Sequence, residues 1–201
     1  VAKRILDFII SVAALALLWP LLAVLAVWIK LDSPGPVLYR GRRVGKEGQP
    51  FHMYKFRTMV LGAESQGPAV TYRDDPRITR AGRFLRRTKL DELPQLFNVV
   101  KGEMSMVGPR PEDPKYVVLY TPEQRHVLSV KPGITGPTQL RYRHEASLLE
   151  GSSVDEEYVS RLMPEKLKLD LEYVRNRSLM QDLRLLWRTG ITLLGRDQRV
   201  R

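Results

Sequence analysis

Cysteine is missing altogether from this 201-residue chain, and His52, His126 and His144 are its only histidines. The first absence excludes a disulfide framework and any thiolate metal site. The three imidazoles lack the close spacing of metal ligands, which argues against a zinc centre. Charge is missing from one stretch: Phe8 to Ile29 holds no ionisable side chain, and Ser11 is its only clearly polar one. Acidic residues are in deficit overall, with 22 Asp+Glu against 33 Lys+Arg and a net charge of +11. That balance points to acidic partners, whether nucleic acid, anionic lipid or phosphorylated small molecules. With no repeat or low-complexity tract, the length suits one domain with its own core and an appendage.

The uncharged stretch is the appendage. As a helix it would reach about 33 Å, enough to cross the hydrocarbon core of a bilayer. A signal peptide has a shorter apolar region ending in small residues, whereas this one ends in Trp28-Ile29-Lys30-Leu31-Asp32. A soluble core helix rarely runs so long without a charge. Lys3 and Arg4 flank one end, and Lys30, Arg40, Arg42, Arg43 and Lys46 follow the other. The positive-inside rule therefore places both ends on the cytoplasmic side, which a simple span cannot satisfy. Pro20 lies mid-run, where a missing N–H bends a helix. The expectation is a re-entrant helical hairpin over residues 1–32, with its bend at Trp19-Pro20.

Residues 33–201 are expected to form a catalytic-sized α+β domain, mainly helical. Ser33-Pro34-Gly35-Pro36 stops the first helix. Residues 37–39 and 51–56 read as strands of a β-hairpin about Gly45-Lys46-Glu47-Gly48. Residues 62–79 read as a loop, and short helices are expected around 80–87, 92–101 and 122–129. Residues 131–137 hold too many breakers for either helix or strand. Helix resumes at Val154, with Pro164 opening a further helix to about Asn176. Leu183, Leu186, Trp187, Ile191 and Leu194 then mark an amphipathic helix, suited either to the core or to a membrane interface.

The chemistry concentrates at Asp91-Glu92. Arg83, Arg86, Arg87 and Lys89 precede this acidic doublet, and Lys101 and Arg110 follow it. Leu93, Leu96, Phe97 and Val100 recur at helical spacing, and Pro94 fits only a first turn. That register puts Asp91 near the N-cap and Glu92 at the first helical position. Carboxylates at a helix N-terminus among cations are suited to a metal ion and a phosphorylated substrate. Mg²⁺ prefers oxygen ligands and commonly bridges one or two carboxylates and substrate phosphates. Arg110, fixed between Pro109 and Pro111, can offer a phosphate a bidentate fork.

Six motifs in order carry a resemblance to a known family. They are Lys3-Arg4-Ile5-Leu6-Asp7-Phe8, Tyr54-Lys55-Phe56-Arg57-Thr58-Met59, Leu90-Asp91-Glu92-Leu93-Pro94-Gln95-Leu96-Phe97-Asn98-Val99, Met104-Ser105-Met106-Val107-Gly108-Pro109-Arg110-Pro111, Lys131-Pro132-Gly133-Ile134-Thr135-Gly136 and Leu169-Asp170-Leu171-Glu172-Tyr173-Val174. The chain resembles the bacterial sugar transferases, small monotopic phosphoglycosyl transferases, from Lys3 to about Gly195. The resemblance implies a re-entrant membrane helix and an active site at the cytoplasmic face of the bacterial inner membrane. It implies transfer of a sugar 1-phosphate from a UDP-sugar to polyprenyl (undecaprenyl) phosphate, with Mg²⁺, giving polyprenyl-diphosphate-sugar and UMP. By the same analogy Asp91 is the nucleophile and forms a phosphosugar-aspartyl intermediate, both Asp91 and Glu92 serve the metal, and Lys55 and Arg86 join Arg110 in binding phosphate. One departure stands out: Trp19-Pro20 replaces the Ser-Pro pair found at the bend of some members.

Two rival classes compete with this expectation. A membrane-tethered nucleic-acid binder would account for the net charge but not for a carboxylate pair within the basic zone. A non-catalytic scaffold would have no use for the Gly108–Pro111 and Pro132–Gly136 loops. Neither nucleic acid nor a scaffold partner is therefore expected.

Overall fold

A computed structural model describes residues 1–68, 70–149 and 154–193. The apolar run forms helix α1, Ala2–Asp32, continuous through Pro20. Little of it is buried: Asp7, Ser11, Leu25 and Ile29 face the domain, while Leu17 and Trp19 are 79% and 65% exposed. Polar side chains dock its first turns. The Asp7 carboxylate accepts from Ser105 Oγ at 2.7 Å and from Met106 N at 3.1 Å. Arg4 donates to the carbonyls of Val99 and Val100. The other end is held by apolar contact, with Leu25 and Ile29 packed among Phe56 and Leu85. Arg57 then donates to the carbonyls of Ser33 and Pro34 just past the helix. Both ends of α1 thus rest on one domain, with the exposed apolar stretch between them.

The β-hairpin forms as expected, though longer: β1 (Leu38–Val44) pairs antiparallel with β2 (Pro50–Phe56), Gly41 opposite Met53. Helix α2 (Arg80–Thr88) is capped by Thr79, whose hydroxyl accepts from Gly82 N. Gly82 is obligatory, since a Cβ there would lie 2.1 Å from the Thr58 carbonyl oxygen. Helix α3 is Gln95–Lys101, shorter than the 92–101 expected. Its buried side is turned from the expected one, although Leu96 is buried as expected. Phe97 is 45% exposed, whereas Asn98 is buried, its carbonyl accepting from Tyr54 N and its amide donating to the His52 carbonyl and Glu103. Satisfying that buried amide against the edge of β2 rotates α3 and turns Phe97 outward.

Residues 131–137 correct the sequence reading more sharply. Gly133–Thr135 is a strand, β4, pairing parallel with β3 (Ser105–Val107). The glycine that suggested a breaker is there for contact: a Cβ on Gly133 would lie 2.0 Å from Gly108 N. Two backbones meet there at a distance no side chain allows. The 122–129 segment is 3₁₀ rather than α, over Gln124–Ser129. Short helices α4 (Pro114–Val117) and α5 (Pro137–Arg141) flank it in sequence. Helix α6 (Val154–Glu157) passes through an unexpected π-turn, Tyr158–Leu162, into α7 (Met163–Asn176), with Pro164 in its opening turn. The expected amphipathic helix is α8 (Leu179–Leu193); Leu194 and Gly195 lie outside the described residues. Leu185 of α8 packs on Val107 and Tyr173, while Leu183 and Trp187 stay exposed.

The largest buried cluster joins Tyr116, Tyr120, Val127, Tyr158, Leu162, Leu167 and Leu171 across α4, the π-turn and α7. A smaller one joins the hairpin to α3 through Phe51, Met53 and Val99. The candidate site lies at the foot of the hairpin.

Candidate functional site

Asp91 and Glu92 sit in a 3₁₀ turn, Leu90–Glu92, entered from Lys89 in the left-handed conformation at φ 60°. The doublet therefore precedes α3 by Leu93 and Pro94 and does not cap it. The helix terminus is displaced from the site, and side-chain cations take over the role expected of it. Lys55, from the end of β2, donates from Nζ to Glu92 Oε1 at 2.8 Å. Arg110 Nη1 lies 3.8 Å from the same oxygen.

The two carboxyl groups are pushed in opposite directions. Burial resists ionisation of Glu92, but Lys55, Arg110 and Lys89 together outweigh it and hold the carboxyl at about 2. Burial raises Asp91, with Glu92 adding to the rise and Lys55, Arg86 and Lys89 opposing it. Its Oδ1 is buried and, among the described residues, has no hydrogen-bond partner. An orphaned carboxylate oxygen in a buried cationic ring costs free energy that a ligand, a metal or a water would recover. Among the described residues no cluster of three or more His, Cys, Asp or Glu could hold a metal unaided. Any Mg²⁺ here would rest on the two carboxylates and on oxygens brought by the substrate, which suits that ion.

Of the cations expected to bind phosphate, Lys55 and Arg110 contact the doublet directly. Arg86 is nearby but engaged elsewhere: Nε donates to Thr58 Oγ1 at 2.8 Å and Nη1 to Thr71 Oγ1 at 2.7 Å. It thereby fastens the 62–79 loop to the floor of the site. That loop, irregular as expected apart from a 3₁₀ turn at Ala63–Ser65 and a bridge from Ile78 to Met59, is built around a buried Asp75–Arg77 ion pair at 2.6 Å, with Arg77 also donating to the Ala63 and Pro68 carbonyls. Trp19 and Pro20 lie far along α1 and take no part.

Sequence reasoning left Asp170 without a role, and the structure supplies one. Its buried carboxylate accepts from Arg110 N at 3.2 Å and from Thr138 Oγ1 at 2.5 Å. It fixes the backbone of the residue whose guanidinium faces Glu92. Burial lifts this carboxyl to about 6, against the pull of Thr138, the Arg110 N–H and Lys166. One turn away, buried Lys166 donates to Glu145 at 2.7 Å and to Tyr158 Oη at 3.0 Å, and the Tyr158 hydroxyl bonds Glu112. The π-turn brings Tyr158 into that network. No sequence signal marks Glu145 or Tyr158, because their partners are remote in the chain.

The doublet and its cations border one cavity of about 2030 Å³, whose lining includes Lys55, Arg86, Lys89, Asp91, Glu92 and Arg110. Cations gathered around a carboxylate pair inside a cavity suit a compact phosphorylated ligand rather than a long polyanion tracked along an open face.

The bacterial sugar transferase family model matches residues 1–196. A Xanthomonas campestris protein named UDP-glucose:undecaprenyl-phosphate glucose-1-phosphate transferase is 42% identical over 97% of this chain and 39% of its own length. A Caulobacter vibrioides protein of the same name is 40% identical over 97% of this chain and 70% of its length. The Rhizobium leguminosarum exopolysaccharide production protein PSS is 41% identical over 98% of both chains. The chain belongs to the bacterial sugar transferase family. It spans about two fifths of the Xanthomonas relative, at 39% of that protein's length.

Proposed function

We propose that the protein is a membrane-attached phosphoglycosyl transferase, moving a sugar 1-phosphate from a UDP-sugar to polyprenyl (undecaprenyl) phosphate. The observation that carries this reading is Asp91 itself: a buried carboxylate with an unpartnered oxygen, facing a cavity ringed by Lys55, Arg86, Lys89 and Arg110. Relatives named for this transfer match the chain across that site.

Chemically, an Asp91 oxygen attacks the sugar-bearing phosphorus of the UDP-sugar. The bond from that phosphorus to the bridging oxygen breaks, and UMP leaves with the electron pair. A phosphate oxygen of the polyprenyl acceptor then attacks the same phosphorus and expels the Asp91 carboxylate, leaving polyprenyl-diphosphate-sugar. Both displacements move negative charge that Lys55 and Arg110 are placed to hold, and Asp170 keeps Arg110 in register. Mg²⁺ held by Asp91 and Glu92 would neutralise the diphosphate and so admit an anionic nucleophile. Glu92, ionised throughout the neutral range, is the steadier ligand.

The same proposal places α1 in the cytoplasmic leaflet of the inner membrane as a re-entrant element. Support comes from its two docked ends: a straight span would carry one end away from the domain that holds both. Bending at Pro20 lets the exposed middle enter the bilayer while the ends stay docked. Leu183 and Trp187 of α8 add an apolar surface suited to the interface.

The test is a half-reaction. With UDP-sugar, Mg²⁺ and no acceptor, the purified protein should release UMP once per chain and gain the mass of one sugar phosphate, lost on adding polyprenyl phosphate. UMP release only when acceptor is present, with no adduct at any time, would exclude the covalent route. Screening UDP-sugars by UMP release identifies the donor.

A further inference from the structure

The cavity is larger than its charged groups require. At about 2030 Å³ it is roughly twice the upper size of an ordinary ligand pocket, about 1,000 Å³. Its lining also includes apolar side chains, Ala14 and Leu18 from α1, Ile134 from β4, and Leu186 and Leu193 from α8, together with Gly190.

Helical register explains how this apolar lining arises. On α1, Asp7 and Ser11 face β3, and Ala14 and Leu18 continue that face in steps of three and four residues. On α8, Asp182 and Leu185 face the domain, Thr189 Oγ1 meets Thr135 Oγ1 of β4 at 2.6 Å, and Leu186, Gly190 and Leu193 form the adjoining stripe. Lys3 Nζ meets Asp182 Oδ2 at 2.6 Å and ties the start of one helix to the start of the other. Both helices leave that anchor along the small parallel sheet and wall a groove above it.

Gly190 fits no packing purpose. It sits in the interior of α8, where glycine is among the poorest helix formers, yet a Cβ added there would meet no atom within 4 Å. Its effect is to leave the groove open.

We propose that this groove between α1 and α8 holds the first isoprene units of the polyprenyl phosphate acceptor, with Gly190 setting its width. The inference rests on the proposed function. The occupant follows from what one cavity brings together: cations and carboxylates around Asp91, apolar side chains from α1, β4 and α8, and the exposed apolar middle of α1 next to them. Those surfaces match an anionic head, a hydrocarbon chain and a bilayer, and Arg143, which donates to the Thr192 carbonyl of α8, adds a cation to the groove wall.

Gly190→Leu narrows the groove from α8 and improves helix propensity, so the fold should survive it. Leu18→Trp narrows it independently from α1. Each variant is assayed with polyprenyl phosphates of two and eleven isoprene units, and by exchange of labelled UMP into UDP-sugar without acceptor. Both variants should raise KM for the eleven-unit acceptor by about tenfold or more, with a smaller rise for the two-unit acceptor and exchange within about twofold of the unaltered protein. Unchanged KM for the long acceptor in both variants would overturn the groove assignment. So would an equal loss in exchange and transfer, which would mean general damage to the site. Absence of exchange in the unaltered protein, with every UDP-sugar tried, would instead overturn the function on which the groove depends.

Discussion

Replacing Asp170 by asparagine separates stability from activity. The carboxyl is buried and lifted from its ordinary 3.8 to about 6, mainly by burial. Between those values the folded state binds more protons than the unfolded state, so stability must fall as pH rises through that window. Above about pH 6 the fall is complete. Its size follows from the displacement between 3.8 and about 6, roughly 3 kcal/mol at about 1.4 kcal/mol per pH unit. That figure is net of the favourable charge of Lys166 and Arg110, which already pull the carboxyl down against burial. The asparagine side chain keeps an acceptor for Arg110 N and removes the buried charge. The variant should therefore match the unaltered protein near pH 4 and exceed it in stability at pH 7.5, by about 1–3 kcal/mol.

Activity should move the other way. Exchanging a charged acceptor for a neutral one weakens the hold on Arg110 N by about 1–1.5 kcal/mol, or roughly tenfold in kcat/KM. The assays are thermal unfolding of detergent-solubilised protein from pH 4 to 8, and initial rates of UMP release. A stability difference independent of pH, or one favouring the unaltered protein at pH 7.5, would refute the assignment of a costly buried charge at Asp170. Unchanged kcat/KM would refute its hold on Arg110.

Three further outcomes are expected. Asp91→Asn should lower turnover by roughly 10³-fold or more and abolish the mass adduct, with membrane association intact; near-normal turnover would remove Asp91 as nucleophile. Glu92→Gln should raise the Mg²⁺ concentration needed for half-maximal rate and lower the maximal rate, since one anionic oxygen is lost; an unaltered titration curve would take Glu92 out of the coordination sphere. Single cysteines at Ala2 and Ser33, in a chain otherwise free of cysteine, should both resist a membrane-impermeant thiol reagent in intact cells and react after permeabilisation. Labelling of either one in intact cells would mean that α1 spans the bilayer.

What the sequence disclosed and what it hid divide along the reach of each interaction. The apolar run, the β-hairpin and the acidic doublet with its cations were legible because their signals are contiguous or periodic over a few residues. Lys55 and Arg110 were legible through their motifs, and they do converge on Glu92. The register of α3 was not, because it depends on Asn98 satisfying the backbone of β2, more than forty positions back. Strand β4 was hidden by the very glycine that makes it possible, since close approach to Gly108 and freedom to turn look alike in sequence. Asp170 stood in a recognised motif, yet its role appears only where Arg110, 60 positions away in the chain, presents its N–H.

The displacement of the doublet from the tip of α3 changes how the site holds charge. A helix terminus supplies a fixed partial charge of about half a unit that cannot move. Lys55 and Arg110 supply whole charges on side chains whose positions depend on partners. Lys55 comes from β2, which α3 fixes through Asn98. Arg110 follows β3 by three positions; Asp7 of α1 fixes the strand through Ser105 and Met106, and Asp170 of α7 fixes the segment after it through Arg110 N. The same short segment thus carries the dock of α1 on its strand and the arginine of the candidate site just beyond it. Arg110 is four positions past Met106, about 13 Å of extended chain at most. A shift of α1 would be felt at β3 through Asp7, at α3 through Arg4, and at the end of β2 through Ile29 packed on Phe56. Docking of α1 and placement of the charged site are in this way coupled through β3, α3 and β2 together.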